Sequence, residues 1–162
     1  MKLLQKISSI LELQNKNNDF RFEWDELFLI ITKLISYRSS CAKTRQAVLL
    51  VKENRIISFG YNGPAAGKLN CLFDGGEEAC GKDSSGSCLN GIHAEQNAIA
   101  WATKNGINIS GSKMYCTQSP CISCARLVVA AGIQEFYYIE EYRKNEGKKF
   151  LEDHNVICLR LT

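Results

Sequence analysis

KMYCTQSPCISCARLVVAAGIQEFYYIE, residues 113–140, holds two β-rich runs around a helical one. KMYCTQ (113–118) and EFYYIE (135–140) suit strands. Between them apolar residues recur at helical spacing from Cys121 to Ala131, until Gly132 stops them. A strand, a helix and a strand in so short a span form a crossover unit, which pairs its strands in parallel and turns right-handed. Working outward, the pattern continues. A helix is expected from Ala94 to Lys104, ended near Gly106; a polar helical stretch covers 143–153, and VICLRL (156–161) closes as a strand. Upstream, QAVLLV (46–51), the turn KEN (52–54) and RIISFGY (55–61) form an antiparallel hairpin. Leu27, Phe28, Ile30, Ile31, Leu34 and Ile35 mark a helix over Asp25–Tyr37. Parallel crossovers joined to an antiparallel hairpin predict an α/β protein: three layers, α/β/α, around a five-stranded mixed sheet.

Two segments fall outside that alternation. Leu3, Leu4, Ile7, Ile10 and Leu11 recur at helical spacing, and QNKNND (14–19) follows as a polar linker. Residues 62–90 carry six glycines, Pro64 and four acidic residues with no periodicity, a length of loop that calls for a function or a metal clip.

The composition narrows the function. A chain of 162 residues, 45% apolar and 23% charged, is that of an ordinary globular domain. Its net charge of +3 is too mild for a nucleic-acid groove but compatible with a small anionic ligand. MKLLQKISSILEL is interrupted by Gln5, Lys6 and Glu12, so it is not read as a signal peptide, and no run is long enough for a membrane span. The expectation is a cytoplasmic protein whose eight cysteines are metal ligands, catalytic groups or core thiols rather than disulfides.

Only two histidines are present, and His93 stands in HAE (93–95), with PCISC (120–124) following. His93 and Glu95 open one expected helix; Cys121 and Cys124 open the next, one turn apart and so on one face. A single strand separates the two helices, so their starts can meet on one side of the sheet. One imidazole and two thiolates suit zinc and leave its fourth position for water. Glu95 would stand beside the metal, free to move protons. The competing reading is a set of core thiols with an incidental histidine.

His-x-Glu followed by Pro-Cys-x-x-Cys is the signature of zinc-dependent base deaminases. More widely, YRSSC (37–41), RIISFGYNG (55–63), HAEQNAI (93–99), MYCTQSPCISCA (114–125), AAGI (130–133) and YYIEEY (137–142) resemble the deoxycytidylate deaminases of the cytidine deaminase superfamily, from about Trp24 to Ile157. The resemblance implies a cytidine-deaminase-like fold at 23–162, with 1–22 as a helical extension. It implies zinc held by His93, Cys121 and Cys124, and hydrolysis of dCMP to dUMP and ammonia, feeding thymidylate synthesis. Glu95 would take a proton from the attacking water, protonate ring nitrogen 3 and serve the departing amino group.

The same resemblance suggests further roles. Asn62 contacts the sugar or belongs, with Gly60, Tyr61 and Gly63, to a site for dCTP with Mg as activator and dTTP as inhibitor. Tyr142 stacks on the pyrimidine or is a surface aromatic; Asn97 positions the nucleotide or braces the site. Arg38, Ser39 and Lys43 hold the 5′-phosphate or form a solvated basic face. Cys41, Cys71, Cys80 and Cys88 form a second, structural zinc site or remain free thiols. A homohexamer is the assembly the family suggests, with no nucleic-acid or membrane partner. Two departures from the family pattern lie near the ligand loop: Gln46 where a glycine is expected, and Pro64 directly after Gly63. Rival functions are deamination of another cytosine compound, such as cytidine or dCTP, and a non-catalytic, zinc-stabilised nucleotide-binding module.

Overall fold

The chain reverses between β1 (Ala47–Lys52) and β2 (Arg55–Tyr61) on Glu53 and Asn54, both at positive φ, 51° and 56°. Positive φ at both central residues is what a two-residue turn needs to match the twist of the strands it joins. Opposite Leu50 and Val51 the register slips by one residue, which leaves Ile57 as the extra residue of a bulge. The computed structural model describes residues 21–72, 81–84 and 88–161. The expected 1–22 extension, except Arg21 and Phe22, and Cys80 lie outside the described residues.

Beyond the hairpin the chain forms β3 (Gly63–Pro64), β4 (Gly91–Ile92), α2 (Ala94–Lys104), β5 (Lys113–Gln118), α3 (Ile122–Ala130), β6 (Glu135–Glu140), α4 (Glu146–Asp153) and β7 (Ile157–Arg160); α1 (Trp24–Ser36) precedes it. The main sheet has the order β2-β1-β5-β6-β7. β1 is antiparallel to both neighbours, whereas β5, β6 and β7 are mutually parallel, so β1 alone runs against the other four. The five-stranded mixed sheet expected from the sequence is therefore present.

Strand alternation then sorts the side chains into two cores. Val48, Leu50, Met114, Cys116, Phe136 and Tyr138 face α2, α3 and α4, meeting Ala98, Val128 and Leu151. Leu49, Val51, Tyr115 and Tyr137 face the other way, against Phe28 and Leu29 of α1. Burying a Leu or Phe side chain completely contributes about 1.5–3 kcal/mol, and most of these are at or near zero exposure. α1 is further tied to the sheet where Tyr115 donates to Asp25 at 2.6 Å. The result is α1, sheet, then α2–α4: three layers.

Most elements shift by one to three residues from the sequence reading, and two differences bear on the site. Residues 62–90 were expected to lack regular structure, yet β3 and β4 pair antiparallel across them, Gly63 with Ile92 and Pro64 with Gly91. Two-residue strands carry no periodicity to read. The helix expected from Cys121 starts at Ile122, with Cys121 in extended geometry as its N-cap (φ −72°, ψ 164°). His93 caps α2 in the same way (φ −70°, ψ 154°). Among the described residues no helix is long and apolar enough to cross a membrane.

Candidate active site

α2 and α3 lie on one face of the sheet, and both start at the same end, because each connects two strands that run the same way, β2 to β5 and β5 to β6. That brings their N-caps together. Nδ1 of His93 is 3.6 Å from Sγ of Cys121 and 3.4 Å from Sγ of Cys124, and one donor atom from each residue lies within 4.8 Å of the others. Among the described residues this is the only such group of three metal-binding side chains. The His93 N–H donates to Gln96 Oε1 at 2.9 Å, which fixes the start of α2.

The electrostatics of the trio suit a cation. The hydrogen bond from Cys124, together with His93, brings the Cys121 thiol down to about 4 despite partial burial. The Cys124 thiol is pushed up, by that same hydrogen bond and by burial. His93 is raised, chiefly by its hydrogen bond to Cys121. Cys121 also caps the N-terminus of a helix, where the dipole favours a thiolate. Glu95 lies at the base of the group, 9% exposed. Burial raises its carboxyl above the usual range, while a backbone hydrogen bond, the His93 charge and a hydrogen bond with Cys124 draw it back.

His93, Glu95 and Cys121 line a cleft of about 870 Å³, within the size range of small-molecule sites. Asn62, Lys43 and Tyr142 line it too, as do Thr117, Gln118 and Arg143. Lys68 and Lys82 add positive charge to the wall. Asn62 Oδ1 accepts from Ser39 Oγ (2.7 Å) and the Gln46 N–H (2.8 Å), and its Nδ2 donates to the Thr44 carbonyl (3.0 Å). Only one amide N–H of Asn62 is left, so toward a ligand it acts as a donor.

Other candidate residues lie elsewhere. Ser39 is buried beneath Asn62, its hydroxyl bridging the Asn62 carbonyl and side chain. Arg38 is exposed and outside the cleft wall. Asn97 donates to the Tyr61 carbonyl at 2.7 Å, and both line a second cavity of about 260 Å³ with Gly63 and Ser40. Gly60 is turned to α2, where an added Cβ would be 2.4 Å from the Ala94 carbonyl oxygen. Cys41, Cys71 and Cys88 line the main cleft.

Arg143 and Gln118 are cleft residues the sequence reading missed. For Arg143 the signal was available, since it directly follows Tyr142 and its guanidinium lies 5.8 Å from that ring. Gln46, the departure from the family pattern, reaches across the sheet to Gln118 (3.3 Å) and to Thr117, joining β1 to β5 at the cleft floor.

Three protein donors with a buried carboxylate beside them make the donor set of a catalytic zinc site rather than a structural one. The comparison with known proteins agrees. The chain belongs to the family described as "Cytidine and deoxycytidylate deaminase zinc-binding region", whose model matches residues 22–140. It is 35% identical over 123 residues to the ComE operon protein 2 of Bacillus subtilis, covering 76% of this chain and 62% of that protein. It is 36% identical over 129 residues to the deoxycytidylate deaminase of Saccharomyces cerevisiae, covering 78% of this chain but only 40% of that one. The chain therefore spans less than two thirds of these two relatives. The dCMP deaminase of cyanophage S-TIM5, solved in complex with dCMP and dUMP, superposes with a TM-score of 0.75 at 30% identity, covering 88% of this chain and 99% of that one.

Proposed function

We propose that this protein hydrolyses dCMP to dUMP and ammonia with zinc held by His93, Cys121 and Cys124. The observation that carries the reading is the three-donor cluster beside a cationic cleft, with buried Glu95 against it. The donor set fits zinc: two thiols and an imidazole, their donor atoms within 4.8 Å of one another. Zinc bound there supplies Lewis acidity, which makes water a competent nucleophile near neutral pH. Glu95 takes one proton from the attacking water and places it on ring nitrogen 3; it then takes the second from the new hydroxyl on carbon 4, which becomes the carbonyl, and delivers it to the amino group as it leaves. Its raised affinity for protons suits a group that must both accept and return them. Asn62 donates to the sugar, and Tyr142 stacks on the base. Water enters and ammonia leaves; no other reactant is needed.

Arg143 and Lys43 hold the 5′-phosphate, and Lys68 and Lys82 contribute to the field around it. A hydrogen bond between charged groups contributes about 1.5–3 kcal/mol, so Arg143→Ala should raise KM for dCMP roughly ten- to a hundredfold. KM for deoxycytidine, which has no phosphate, should not move; equal effects on both would remove Arg143 from phosphate binding.

The finer parts of the reading concern control and context. dCTP with Mg as activator and dTTP as inhibitor would bind at Tyr61, Gly63 and Asn97, with Gly60 and Asn62 adjoining. The second cavity supports this, because the Gly63–Pro64 strand forms part of both its wall and the cleft wall. A second zinc would be held by Cys41, Cys71, Cys80 and Cys88; the three described thiols line one cleft but do not form a close group. The product would supply thymidylate synthesis in the cytoplasm, and the protein would assemble as a homohexamer carrying residues 1–22 as an extension.

The test is loss of cytosine absorbance with dCMP, CMP, deoxycytidine and dCTP, each with and without the triphosphate effectors. dCMP should turn over fastest. No turnover of dCMP by the zinc-loaded protein would sink the reading, and turnover indifferent to dCTP and dTTP would sink the regulatory part alone.

A further inference from the structure

The loop that presents Cys121 is gripped from behind. α4 approaches it so closely that a Cβ on Gly147 would lie 2.1 Å from the Pro120 carbonyl oxygen, 2.8 Å from the Cys121 carbonyl carbon and 2.9 Å from its oxygen. Gly147 is buried in that contact. The atoms it meets are backbone, which no side-chain rotation can move aside. Pro120 adds stiffness, since its ring fixes φ and leaves its carbonyl little room to retreat.

One residue before Pro120 the loop is held again. Ser119, 5% exposed, donates its backbone N–H to the Glu140 carbonyl at 2.9 Å. Its hydroxyl accepts from the Tyr142 N–H at 2.7 Å and reaches the Glu141 carboxylate at 3.3 Å. Glu141 is itself held by the Tyr138 hydroxyl at 2.7 Å and by Lys148 of α4 at 3.8 Å. The segment 140–147 therefore fastens to the loop 119–121 at both ends of that loop. The same segment carries Tyr142 and Arg143 into the cleft.

We infer that Gly147 is a positioning residue for Cys121, and that Ser119 is the second point of the same clamp. The inference rests on the proposed zinc site, in which Cys121 is a ligand. A cysteine has a single side-chain torsion, so its sulfur goes where its backbone goes. Cys121 also precedes the first turn of α3, its carbonyl accepting from the Ala125 N–H at 2.9 Å. Moving that carbonyl shifts the sulfur relative to His93, which caps α2, and relative to Cys124, which lies inside the first turn of α3. Glycine at 147 lets α4 lie directly on the loop and fix this geometry; any side chain forces the loop and α4 apart.

The test compares zinc affinity by chelator competition, and the thiolate-to-metal absorption of the cobalt-loaded protein, in the full chain and its variants. Gly147→Ala should lower zinc affinity about ten- to a hundredfold, the range for residues supporting a metal ligand, and shift the cobalt band. Ser119→Ala adds no volume and should give a loss of about tenfold; it decides the matter if Gly147→Ala does not fold. Lys149→Ala, on the exposed side of α4, should match the parent in both measurements. A variant that melts lower but binds zinc and absorbs like the parent overturns the inference, since a purely structural contact would do that. Absence of thiolate absorption in the unaltered protein overturns the zinc site and the inference together; a normal parent with indifferent Gly147 and Ser119 variants overturns the inference alone.

Discussion

Glu95→Gln should lower kcat on dCMP by about 10³-fold, within the range for loss of a general acid–base group, while zinc content remains that of the parent. Glutamine has nearly the same shape and fills the same buried place, but it neither takes a proton from water nor returns one to the leaving nitrogen. The three donors His93, Cys121 and Cys124 are untouched by the change, so metal analysis separates loss of chemistry from loss of metal. Stability should move the other way. Burial raises the Glu95 carboxyl, so the metal-free folded state binds protons more tightly than the unfolded chain, and stability falls as pH rises from the ordinary carboxylate range through the raised value. Above that range the charged carboxylate is a cost that glutamine removes. Metal-stripped Glu95→Gln should therefore melt no lower than metal-stripped parent at neutral pH. A variant that keeps most of its turnover would remove Glu95 from the mechanism, whatever its melting temperature.

The parts of this fold that could be read in sequence are those with a local pattern. KMYCTQ and EFYYIE are short β-rich runs bounded by polar residues, and they became β5 and β6 with the same bounds. The turn at Glu53 and Asn54 was equally legible, because a short polar pair between two β-rich runs has few other uses. β3 and β4 were not legible: a pairing of Gly63–Pro64 with Gly91–Ile92 depends on closing a long loop, and no local signal reports it. In the site, His93, Glu95, Cys121 and Cys124 stood out because rare residue types sit at helix starts. What escaped was contact made through backbone. Gly147 and Ser119 are ordinary residues in sequence, and their importance lies in which carbonyl or N–H they meet across the fold. Gly60 was weighed for a ligand role from its motif, whereas its immediate surroundings are helix backbone.

That last contrast yields the second large effect. Gly60→Ala places a methyl group 2.4 Å from the Ala94 carbonyl oxygen and 2.6 Å from the Ala98 nitrogen, with Asn97 Cβ at 3.0 Å. None of these can rotate away, so either β2 or α2 has to move. β2 is held by its pairing with β1, and Ser58 two residues earlier bonds the Ala98 carbonyl at 2.7 Å, so strand and helix are pinned where the methyl would enter. Overpacking of this kind costs about 1–3 kcal/mol, and for a chain of this size that is a melting temperature lower by roughly 2–12 °C. The displaced element carries function as well. α2 starts at His93 and presents Glu95, and a shift of an ångström in groups this close to the reacting atoms costs about a hundredfold in rate. Ser58→Ala, which removes the hydrogen bond and adds no volume, should lose much less activity. All of this is expected without any triphosphate present. If Gly60→Ala instead melts and turns over like the parent, and only its response to dCTP or dTTP changes, then Gly60 belongs to effector binding and the close approach of β2 to α2 is incidental to the site.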